Sequence, residues 1–149
     1  MARRFATILI ATAVAGTLQL GLAVLLAAAS GRGILPVLRE MTAALFGEGM
    51  RMSGSGGALI GLTLHFFVIA VVAWIYERMA QRLAFLRMHP ALGGLAYGVL
   101  LAAIHALLAP RGLPTLFPQV TPVDSFVALA AWLACVGLPI GWIVARRAR

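Results

Sequence analysis

The 149-residue chain is 62% hydrophobic and 11% charged, with a mean hydropathy of +1.01 and a formal net charge of +8. Soluble domains carry about 25% charged residues, so this composition excludes an ordinary soluble domain and points to a membrane protein. Nucleic acid is excluded as a partner despite the charge, because the arginines flank apolar runs instead of lining one face. The single Cys135 excludes an internal disulfide, a CxxC redox pair and a Cys-rich zinc site.

A membrane-spanning helix needs about 20 apolar residues, and four runs qualify. The first covers roughly residues 5–29. Its basic start (Ala2-Arg3-Arg4) and its Ala27-Ala28-Ala29 end resemble a signal peptide, but its core exceeds the usual ~7–15 residues. It is expected to stay as an uncleaved anchor. The loop that follows holds Pro36, whose fixed φ suits the first helical position. Ile34, Leu38, Met41 and Leu45 then recur at helical spacing, with Arg39, Glu40 and Thr42 off that stripe. This predicts an amphipathic helix over roughly 36–46, lying on the outer membrane surface or capping the bundle. Met50–Gly57 reads as a flexible linker, and it lacks the lysine of a phosphate-binding loop.

The second span is expected over roughly 58–78, followed by a short basic loop, 79–90, containing His89. The third, roughly 91–109, lies between Pro90 and Pro110, each of which limits a helix. A proline-rich outer loop (Pro110, Pro114, Pro118, Pro122) should be extended and stiff. Asp124 is placed to cap the fourth span, roughly 125–145, which contains Pro139. Proline at 139 leaves the carbonyl of Cys135 without its helical partner. Eight of the twelve arginines fall on the side of the two termini. The positive-inside rule therefore places both termini in the cytoplasm, with Trp74, Tyr76 and Trp142 near the inner interface.

Three strongly polar side chains lie within the spans: Gln19, His65 and His105. Each is about 14 residues, or ~21 Å, from the inner end of its span. Gln19 shares a face with Thr12, Ala15, Gly16 and Ala23. His65 follows Gly57 and Gly61, and His105 follows Gly94 and Gly98. In span four, Ala130, Ala134, Gly137 and Gly141 form a similar small stripe. Small residues at such spacing let helices approach closely, within one chain or between copies, and polar groups turn to the bundle interior. The three polar residues should therefore form a layer towards the periplasmic side. It would act structurally, or in handling a small solute or proton. Alternatively, His65 and His105 would ligate a b-type haem in an electron-transfer subunit. No other cofactor and no metal set is indicated, because two histidines without an inward carboxylate or thiolate make a poor one. No catalytic constellation appears, so no enzymatic activity is expected.

Within residues 59–114, the order L-x-L-H-F-F, W-I-Y, a basic turn, H-P-A-L-G-G-L-A-Y-G-V and I-H-A-L-L-A-P-R-G-L-P resembles the YagU-like small bacterial inner-membrane proteins. The matching positions are His65, Gly94, Gly98, His105 and Pro110. The resemblance implies an integral protein of the bacterial inner membrane without an assigned reaction. It also implies that Asn can replace His at position 105, which favours a hydrogen-bonded layer over haem. The expected architecture is an all-α, single-domain, four-span transmembrane helix bundle with a short amphipathic helix in its first outer loop, surrounded by the lipid bilayer.

Overall fold

A computed structural model describes residues 2–47, 49, 54–108 and 122–147. Among them the chain is helical and has no strand. The elements are α1 (Ala2–Ala29), α2 (Ile34–Phe46), α3 (Gly54–Arg82), α4 (Ala84–Met88), α5 (Pro90–Leu108), α6 (Pro122–Ala131), a π-helical segment (Trp132–Gly137) and α7 (Leu138–Arg147). The last three form one continuous helix. Four helices are therefore long and apolar enough to cross a membrane. No more than 44% of the most apolar window of any span is buried. Phe5, Leu25, Phe67 and Phe126 are each more than 60% exposed. Helices this apolar on their outward faces need a lipid surround.

Glycines decide how the spans pack. A Cβ on Gly94 would stand 2.5 Å from the carbonyl oxygen of Gly137, one on Gly98 2.8 Å from the Cα of Leu133, and one on Gly141 2.6 Å from the carbonyl of Pro90. The small stripes of spans three and four thus serve each other within one chain, backbone against backbone. Gly61 meets the Leu38 carbonyl of α2 in the same way.

The outer helix departs from its expected form in three ways. It begins at Ile34, so Pro36 sits in its first turn, where a missing N–H is still harmless. It is not merely laid on a surface. Leu38 lies over Gly61, and Thr42 Oγ1 donates to the Gly57 carbonyl at 2.7 Å. One helix rises by four residues as the other falls by four, so α2 runs alongside α3 in the opposite sense. Its buried face is Val37, Leu38, Met41 and Thr42, whereas Leu45 is 48% exposed. Thr42, placed off the stripe by its polarity, is fully buried because its hydroxyl finds carbonyls on both helices.

Other boundaries shift as well. Gly54–Gly57 begin α3 and are not linker, and residues 79–82 continue α3 before α4 forms. Asp124 lies inside α6, two residues beyond its start, and not at its N-cap. Met50–Ser53 and the prolines at 110, 114 and 118 lie outside the described residues. Ala130 and Ala134 are exposed although Gly137 and Gly141 are buried. The π segment explains this. Pro139 offers no N–H and its ring crowds the Cys135 carbonyl, and the turn before it widens, with Leu138 N–H donating to Leu133. One extra residue in that turn shifts the face by ~100°, so the alanine row does not continue into the glycine row.

Candidate functional site

The polar residues of the spans come first. Gln19 and His65 are each 3% exposed, and Thr12, Ala15, Gly16 and Ala23 are buried on the Gln19 face. His65 Nε2 lies 2.9 Å from the Gly16 carbonyl oxygen. A carbonyl only accepts, so Nε2 carries the proton and the bond ties α3 to α1. Gly16 makes the approach feasible, since a Cβ there would stand 2.6 Å from the ring of Phe66, which in turn meets His65 edge-on.

His105 is half-buried, with its ring 5.8 Å from that of Trp132 in the π segment. Tyr97 on α5 donates to the Val72 carbonyl on α3 at 2.9 Å. From this tie, His65 and His105 lie about 10 and 12 Å further along their helices, at similar height. The contacts of His65 nevertheless lead to α1, and the ring contact of His105 leads to span four. To ligate a haem iron through Nε2, His65 would first have to give up Gly16.

A second constellation lies where both termini meet the ends of α3 and α4. Arg3, Arg4 and Thr7 of α1, Glu77, Ala80 and Gln81 of α3, Arg87 of α4, and Val144 and Arg147 of α7 line a half-open cavity of about 450 Å³. Helical spacing puts Glu77, Ala80 and Gln81 on one face of α3. Leu86 is buried in the core and anchors α4, which folds Arg87 back beneath α3. There its Nη1 donates to the carbonyls of Ala80 and, at 3.2 Å, Gln81. These are among the last carbonyls of α3, which have no partner within the helix. Glu77 is 7% exposed, and Gln81 Nε2 donates to its Oε1 at 2.5 Å.

Among the described residues the lining carries four guanidinium groups and one carboxylate, a net of three positive charges. Arg78 stacks over Trp74 with its guanidinium carbon 5.5 Å from the ring centroid, and Arg146 over Trp142 at 5.1 Å. Glu77 falls between Trp74 and Arg78, and Val144 between Trp142 and Arg146, so these pairs stand at the level of the cavity. In the sequence the arginines of the cavity registered only as charges on the side of the termini. The cavity draws its lining residues from four helices at both ends and in the middle of the chain, so no local motif unites them. The one available signal is the i, i+4 pair Glu77 and Gln81 among the arginines.

Among the described residues, no group of three or more His, Cys, Asp or Glu could hold a metal ion. In comparisons with protein families, curated proteins and solved structures, nothing matches the chain, so none of them bears on the likeness of residues 59–114 to the YagU-like proteins.

Proposed function

We propose that this chain is a multi-pass protein of the bacterial inner membrane, with both termini cytoplasmic, that binds the phosphate of an anionic ligand in its arginine-lined cavity. It acts by binding, not by catalysis. The observation that carries this reading is the set of four arginines around one recess with, among the described residues, a single carboxylate. Clustered like charges repel, and a bound anion removes that penalty. The guanidinium fork matches phosphate oxygens in pairs. In this reading His65 is a structural tie, since its Nε2 is committed to Gly16.

Thermal unfolding in detergent tests the reading. Added phosphatidylglycerol should raise the melting temperature by about 5 °C at saturating ratios, and phosphatidylcholine should not. Arg4→Gln combined with Arg147→Gln should remove most of that rise. Equal protection by both lipids would contradict it.

A further inference from the structure

Glu77 is out of place in a simple anion site. Its carboxylate opens on the same cavity as Arg3, Arg4, Arg87 and Arg147, yet among the described residues it pairs with Gln81 and with no guanidinium. A carboxylate offers about four acceptor positions, and Gln81 fills one. A bare phosphate filling the cavity would meet a buried like charge, which disfavours both. A ligand that points a hydroxyl at Glu77 would instead satisfy it, because buried acceptors seek donors.

Resting on the anion-site reading above, we infer that the ligand is an anionic phosphodiester with a hydroxyl-bearing headgroup. The arginines hold the phosphate, and Glu77 with Gln81 receives the hydroxyls. A zwitterionic headgroup is the poorer fit, because the net of three positive charges on the described lining residues calls for a net anion. Depth identifies the source as membrane lipid. Indole rings paired with arginines mark the headgroup layer, and Trp74–Arg78 and Trp142–Arg146 bracket the lining residues Glu77 and Val144. At 29 residues α3 is ~43 Å long, against ~30 Å of hydrocarbon. Its length leaves room for an overhang, and the Trp74–Arg78 pair puts that overhang at the last turns, which carry Glu77 and Gln81.

The test is lipid competition in nanodiscs of phosphatidylcholine doped with equal phosphatidylglycerol and phosphatidylmethanol of the same acyl chains. The two dopants carry the same charge, and only the first has headgroup hydroxyls. Native mass spectrometry of the wild-type protein should find phosphatidylglycerol retained roughly tenfold over phosphatidylmethanol, the discrimination a hydrogen bond to a charged group gives. Glu77→Ala, which removes the acceptor, should bring the ratio close to parity while anionic lipid is still retained over phosphatidylcholine. Equal retention of the two dopants by the wild-type protein would overturn the role of Glu77 and leave the anion site standing. Retention of neither over phosphatidylcholine would overturn the site itself. Displacement of bound phosphatidylglycerol by low-millimolar glycerol 3-phosphate would overturn the lipid source.

Discussion

Gly94 and Gly137 show how single side chains decide this structure. Each backbone stands where the other's Cβ would be, so Gly94→Val should cost about 1–3 kcal/mol through overpacking. Unfolding in mixed detergent and SDS would measure it. Gly21 has open space around it, and Gly21→Ala should leave stability unchanged or raised. His65 is a second such position. Its bond to the Gly16 carbonyl is the tie between α1 and α3 that the sequence could not specify. Hydrogen bonds between membrane helices average about 0.6 kcal/mol, so His65→Leu should lower stability by roughly that amount in the same assay. No loss would assign the imidazole a role other than packing.

Among the elements, the four spans were legible because length and hydropathy alone define them. The inward faces of Gln19, His65, Gly94 and Gly98 were legible because polar and small residues coincide on them. The path of α2 was not. Its stripe fitted a helix on the membrane surface or one capping the bundle, and Thr42 hid a buried bond to Gly57 that depends on a partner in another helix. The face change in span four was half legible. Pro139 announced a disturbed carbonyl but not a widened turn that moves Ala130 and Ala134 outward. Restoring the donor with Pro139→Ala should let the turn close to ordinary α-helix. Amide exchange over Trp132–Gly137 should then slow, and the environment of Trp132 fluorescence should shift. Unchanged exchange would mean that packing against α5, not the proline, holds the π segment.

For the whole molecule, the cavity was invisible to sequence reading because its arginines come from both ends and the middle of the chain. The four arginines that line the cavity belong to the charge bias from which the orientation was read, so one property conceals the other. The orientation is open to a direct check. A reporter active only in the periplasm, fused after Arg149, should be silent, and activity would reverse the assignment of the arginine-rich end to the cytoplasm.

The central claim is that Arg3, Arg4, Arg87 and Arg147 together hold an anionic phosphate group. The most direct measurement is the amount of phosphatidylglycerol that stays with the protein through mild detergent purification. The wild-type protein should retain a single tightly held molecule, and the Arg4→Gln/Arg147→Gln protein, equally well folded, should retain almost none. Equal retention by the two proteins would contradict the account.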